Sequence, residues 1–150
     1  MTVSEGVRSA DTIEGWRRLV LAHDRLMRTF EAELKRDFGL TVAQYDVVHR
    51  LAADPEHPVR MSELAQALLY SSGAATKVLD RLTERGLVER VPDPADRRAV
   101  RIGLTDAGRE LAVRARRAHG RSIARAVGPF ESEAERTHVL AYLGRLAAEP

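Results

Sequence analysis

Apolar residues recur every three or four positions from the start of the chain. Ile13, Trp16, Leu19, Val20, Met27, Phe30 and Leu34, with His23 on the same stripe, predict a long amphipathic helix over about residues 12–36, ending near Gly39. Thr41 followed three residues later by Gln44 is a capping-box signature, so a second helix starts there and buries Val42, Tyr45, Val48 and Leu51. Asp54-Pro55-Glu56-His57-Pro58 is a loop, since its two prolines exclude regular helix. Ser62 is the expected cap of a short third helix over 63–68. After a break at Tyr70-Ser71-Ser72, a fourth helix runs over about 72–85, with the stripe Ala75, Val78, Leu79 and Leu82 and with Gly86 as its C-terminal cap. That stripe turns positions 73, 77, 80, 81 and 84 toward solvent.

The period then changes from helical to alternating. Residues 87–91 and 100–104 read as two short strands, each with one buried face. Between them lies a tip rich in proline, aspartate and arginine. Thr105 caps a fifth helix reaching about Val127, Gly128-Pro129 breaks it, and Ser132 with Glu135 opens a sixth as another capping box. The fold class is therefore mainly α with a small β-hairpin. Two helices around a short break, followed by a hairpin, make the arrangement of a winged helix-turn-helix. A stiff, arginine-rich hairpin tip beside a helix that fits the major groove can reach an adjacent minor groove or phosphates, and proline at the tip lowers the entropy lost on binding.

Composition narrows the function. At 150 residues, 44% hydrophobic and 31% charged, the chain fits one soluble globular domain. No apolar run nears the ~20 residues that cross a bilayer. The N-terminal "MTVSEGVRSADT" lacks an apolar core, so no signal peptide and a cytoplasmic location are expected. The absence of cysteine removes disulfides, thiolate metal sites and thiol-based oxidant sensing together. Net charge is only +2, but almost all the cations are arginine, Lys35 and Lys77 being the two lysines. Arginine presents a planar fork of donors suited to phosphates and base edges. No Gly-rich phosphate loop, nucleophile elbow or His-Glu metal motif is present, and the five histidines form no i, i+4 pair. The expectation is a protein that is not an enzyme and uses no cofactor or metal.

Residues 61–108, "MSELAQALLYSSGAATKVLDRLTERGLVERVPDPADRRAVRIGLTDAG", resemble the multiple antibiotic resistance regulator (MarR) family of bacterial transcription factors. The resemblance rests on a helix-turn-helix, then G-L-V-x-R, then a wing carrying D-x-R followed by L-T-x-x-G. "WRRLVLAHDRL" and "GLTVAQYDVVHRLA" extend it toward the N-terminus. It implies a single domain over 1–150, with dimerisation helices at about 12–38 and 106–147 around a winged lobe at about 41–104. It also implies a homodimer on palindromic double-stranded DNA. On this resemblance D-x-R falls on Asp96 and Arg98, with the arginine entering the minor groove at the wing tip and the aspartate orienting it. A narrow A·T-rich minor groove has enhanced negative potential, which favours an arginine there. Arg97 would meet a phosphate.

The fourth helix would read the major groove. Its start, Ser72-Gly73-Ala74, is small enough for close approach, and Ser62, Ser71, Thr76, Lys77 and Arg81 complete the expected DNA contacts. Ser71 and Ser72 also suit a purely capping role. Leu19, Phe30, Ile123, Val127, Phe130, Val139, Leu143 and Leu146 are the expected dimer interface, because terminal helices this apolar lack enough neighbours in one chain. Trp16 with His23, and Tyr45 with His49, each share a helix face and are candidates for holding a small aromatic or anionic effector, though aromatics at helical spacing serve equally as core. The reading is a repressor released from its operator by that effector. The alternatives are a winged-helix module for protein contacts and an architectural DNA binder without sequence preference.

Overall fold

The computed structural model describes residues 3–68, 72–96 and 99–148, with side chains from residue 11 onward and excepting that of Ser72. Six helices and three strands follow in the order α1 (Val3–Phe38), α2 (Val42–Leu51), β1 (Val59–Arg60), α3 (Met61–Ala67), α4 (Ser72–Glu84), β2 (Val88–Pro92), β3 (Val100–Leu104), α5 (Asp106–Val127) and α6 (Glu133–Ala147). The chain falls into two compact units, Met1–His119 and Gly120–Pro150. Among the described residues, no helix is long and apolar enough to cross a membrane.

In the first unit α1 begins at Val3, earlier than its apolar stripe. Once nucleated, a helix gains one hydrogen bond per added residue, so a polar segment can extend it without any periodic signal. Its end is marked by Gly39 at φ 64°, a backbone conformation that disfavours other residues. The predicted cap of α2 is present in both directions: Thr41 Oγ1 accepts the Gln44 N–H at 3.1 Å, and Gln44 Oε1 accepts the Thr41 N–H at 2.9 Å. Glu31 of α1 adds a third bond, accepting the Val42 N–H at 2.6 Å. Burial pushes the Glu31 carboxyl up, but the Val42 N–H and Lys35 outweigh that and hold it below its ordinary value.

Two sequence expectations are corrected here. Ser62 does not cap α3; Arg60 holds the cap position, and Glu63 reaches back to its N–H at 3.4 Å. The helix starts before Ser62 because the preceding residues are already held as a strand. That strand, β1, is the second correction: the sheet has three strands in the order β1-β3-β2, all antiparallel, with Val59 opposite Ile102 and Arg90 opposite Ile102 from the other side. Two residues are too few to show alternation. Being central, β3 buries Ile102, Gly103 and Leu104 in succession instead of alternating. Pro58 packs over Gly103, where a Cβ would lie 3.4 Å from its ring.

The core of this unit joins every element. Leu34 and Leu40 meet Val48 of α2, Leu64 of α3, Leu79 and Leu82 of α4, Ile102 of β3 and Ala115 of α5 in one cluster. α4 ends as the sequence predicts. Gly86 has φ 66°, its N–H donates to the Thr83 carbonyl at 2.8 Å, and the Leu87 N–H returns to Leu82 at 3.0 Å. Arg85, just past the helix, donates to the carbonyls of Gly39 at 2.7 Å and Phe38 at 3.0 Å, tying the end of α4 to the α1–α2 junction.

The second unit holds the end of α5, the Gly128-Pro129 break and α6. Ser132 caps α6, accepting the Glu135 N–H at 3.1 Å. The reciprocal arm of the predicted box lands one residue early, Glu135 accepting from the Glu131 N–H at 2.6 Å.

Candidate nucleic-acid interface

α4 is built to show one face. Ala75, Leu79 and Leu82 are sealed in the core, and Gly73, Ala74, Lys77, Asp80, Arg81 and Glu84 are exposed on the opposite side, with Thr76 half-buried between. Among the described side chains the small residues Gly73 and Ala74 come first, at the end of the helix where backbone N–H groups and the dipole favour anions. Arg81 rests on Glu84 at 3.2 Å, an exposed pair that solvent screens and a phosphate can displace. α3 precedes α4 with residues 68–71 between them, and Ser62 is exposed on its first turn. Ser71, Arg97 and Arg98 lie outside the described residues, as does the side chain of Ser72.

The hairpin is fastened to this helix. Arg90 of β2 reaches Asp80 of α4 at 2.6 Å, an exposed ion pair that joins the first strand of the hairpin to the exposed helix face. At the far end the tip loop is closed by its own backbone: the Asp93 N–H donates to the Ala99 carbonyl at 3.1 Å, and the Ala99 N–H donates to that of Asp96 at 2.9 Å. Asp96 itself is exposed, at the tip as expected. At the base lies a group that sequence reasoning missed. Asp93 is a wholly enclosed carboxylate that faces Arg60 and Arg101 and accepts the Ala95 N–H at 2.8 Å. The Ala95 bond first, then the two arginines, hold its carboxyl far below the usual carboxylate range against the cost of burial. Its sequence signal, an aspartate between Pro92 and Pro94, resembles an ordinary turn, and the arginines it meets lie in other strands.

The ring-bearing candidates divide. Tyr45 is buried, stacks on His49 with centroids 5.6 Å apart, and meets His119 of α5 edge-on at 4.7 Å. His119 was not anticipated. Burial lowers its pKa, His49 adds to that, and Asp46 and Glu33 oppose it. Beside the rings, His49, Ala52, Ala53, Ala112, Val113 and Arg116 line an open pocket of about 150 Å³. Trp16 is 66% exposed and His23 is exposed; neither joins the ring contacts around Tyr45. No group of three metal-ligating side chains occurs among the described residues.

Of the expected dimer residues, Leu19, Ile123, Val127, Leu143 and Leu146 are exposed, and Phe130 and Val139 are half-buried. Phe30 is the exception and a correction: it is buried in its own chain, its ring edge-on to His119 at 4.9 Å, because helix spacing does not distinguish an intramolecular neighbour from a second copy.

Comparison with known proteins gives a consistent picture. The sequence model of the MarR family matches residues 38–99. The transcriptional regulator PecS of Dickeya dadantii is 34% identical over 110 residues, 73% of this chain and 66% of its own length. The multiple antibiotic resistance protein MarR of Escherichia coli is 38% identical over 86 residues, 57% of this chain and 55% of its own. The aligned stretches thus span from just over half to about two thirds of these relatives. In structure, Sco3205, a MarR family transcriptional regulator from Streptomyces coelicolor solved in complex with DNA, superposes with a TM-score of 0.84 at 26% identity, over 92% of this chain and 86% of that one.

Proposed function

The chain belongs to the MarR family, and from that premise we propose that it is a DNA-binding transcriptional regulator, working as a homodimeric repressor on palindromic operator DNA. The observation that carries the reading is the exposed face of α4 opposite its buried stripe, with Arg90 of the hairpin reaching Asp80 on that same face. Two such surfaces about 34 Å apart match successive major grooves on one side of B-DNA. α4 offers small residues and few long polar ones, so phosphate contact and wing contact carry a large share of recognition, with Arg98 in the minor groove and Arg97 on a phosphate. PecS and Sco3205, to which the chain is similar, are transcriptional regulators, which supports a regulatory and not an enzymatic role.

Release is assigned to a small aromatic or anionic effector held near Tyr45 and His49. The pocket beside them is smaller than a drug-sized site, with alanine walls and Arg116 available to a carboxylate, which suits a single ring. A ligand there would act by changing lobe spacing, a coupling that typically amounts to about 1–3 kcal/mol.

The test is selection from a randomised duplex library, with wild type and Arg98→Ala compared at two salt concentrations. A palindromic winner is expected, with affinity falling steeply in salt for wild type and weaker binding by the variant. Equal binding to all sequences would indicate an architectural protein. No binding, or an Arg98→Ala chain that binds as before, would return the hairpin to protein contacts.

A further inference from the structure

Asp93 is 1% exposed and lies where β2 passes into the tip loop. Its Oδ2 is 2.8 Å from Arg60 Nε, at the junction of β1 with α3, and 3.0 Å from Arg101 Nε on β3. Arg101 also donates to the Pro58 carbonyl at 3.2 Å. One side chain therefore fastens the outer strand, the central strand and, through Ala95, the first turn of the loop. One enclosed carboxylate faces two guanidinium groups, whose side chains remain 40% and 32% exposed, and Glu63 and Asp96 lie close enough to Arg60 to add to its stabilisation.

We propose that Asp93 is a positioning residue that sets the sequence specificity of the wing, holding the ends of the tip loop and keeping Arg60 and Arg101 from indiscriminate phosphate contact. The proposal rests on the DNA-binding reading above. Two physical effects act together. A loop tied at its base through Asp93, Ala95 and Ala99 has less conformational freedom to lose on binding DNA, a loss that weighs on the complex in which the loop makes specific contacts. A guanidinium held by its Nε against an enclosed carboxylate is less free to swing toward phosphates, and its charge is partly neutralised; phosphate contact is the part of affinity that is equal on every sequence. Removing the carboxylate loosens the tip and frees two cations, so specific binding falls while non-specific binding holds or rises.

Asp93→Asn isolates the charge, since its amide oxygen can still accept the Ala95 N–H. The measurement compares the full chain on the duplex that wild type enriches with a scrambled duplex of equal length, at several salt concentrations. For the variant, the ratio of specific to scrambled affinity is expected to fall about tenfold or more, with a steeper salt dependence on the scrambled duplex. A purely structural role would weaken both affinities in parallel with the melting temperature, and an unchanged ratio would overturn the proposal. Should Asp93→Asn not fold, Arg60→Gln loosens the base of the loop while removing a cation; a reduced ratio is then expected from weaker specific binding alone, with scrambled affinity not raised, and a wild-type ratio overturns the proposal. If wild type itself enriches no sequence, the DNA-binding reading fails first and this inference falls with it.

Discussion

Gly108 shows how much one residue of a recognised motif can depend on a neighbour far away in the chain. A Cβ built there would lie 2.0 Å from the Leu87 carbonyl oxygen, a main-chain atom that cannot swing aside. The same junction is closed by Thr105, whose hydroxyl donates to the Gly86 carbonyl at 2.7 Å and accepts the Gly108 N–H at 3.0 Å, while its own N–H donates to Leu87 at 3.2 Å. Together these residues dock the first turn of α5 on the end of α4 and the start of β2. Gly108→Ala is expected to destabilise the chain by about 1–3 kcal/mol, the usual cost of overpacking, read by chemical denaturation. A loss of less than half a kilocalorie would mean that the first turn of α5 shifts freely. The spacing L-T-x-x-G was legible in the sequence, and Thr105 could be assigned as a cap. The need for glycine was not, because the atom that excludes a side chain belongs to Leu87.

At the scale of elements, three helices meet through rings: Phe30 from α1, Tyr45 from α2 and His119 from α5. Burial favours the neutral form of His119, with His49 in support and with Asp46 and Glu33 opposing. Its folded pKa lies below that of the unfolded chain, near 6.5. As pH falls through about 6.5 the unfolded state takes up the proton first, so stability is full above that value and declines below it until the folded group also titrates. The exposed His57 works in the opposite direction, since its hydrogen bond to Asp54 raises its pKa. The contrast to measure is therefore wild type against His119→Gln. The melting temperature of wild type should fall more steeply than that of the variant between about pH 7 and pH 5; parallel curves would remove His119 as the cause. Helical periodicity put Phe30 and Tyr45 on the apolar stripes of their helices, but it assigned Phe30 to a second copy instead of to its own chain. It could not bring His119 to them, since α3, α4 and the three strands lie between α2 and α5 in sequence.

For the whole molecule, the apolar surface left exposed on a single chain is the governing quantity. Trp16, Leu19 and Val20 on α1, Ile123 and Val127 on α5, and Leu140, Leu143 and Leu146 on α6 are all at least 39% exposed. Apolar area of this kind gains about 25 cal/mol for each Å² removed from water, which favours association through these faces. Wild type is expected at twice the 16.7 kDa chain mass by sedimentation. The double variant Leu143→Glu, Leu146→Glu should shift to the monomer and lose operator affinity, since one lobe then binds without its partner. A monomeric wild type, or a double variant that remains dimeric, would remove α6 from the interface.

Sequence alone determined most elements, their caps and the fold class, because those depend on local periodicity and on bonds within one turn. Thr41 with Gln44, Gly86 and Thr105 are legible for that reason, and so is the outward face of α4 opposite Ala75, Leu79 and Leu82. The third strand, the cap at Arg60, the burial of Phe30 and the Asp93 clamp were decided by tertiary structure. The strand, the burial and the clamp depend on partners dozens of residues apart, as with Arg60 and Asp93, and the cap shifts because that strand precedes it; the strength of an ion pair also depends on the burial that only packing supplies.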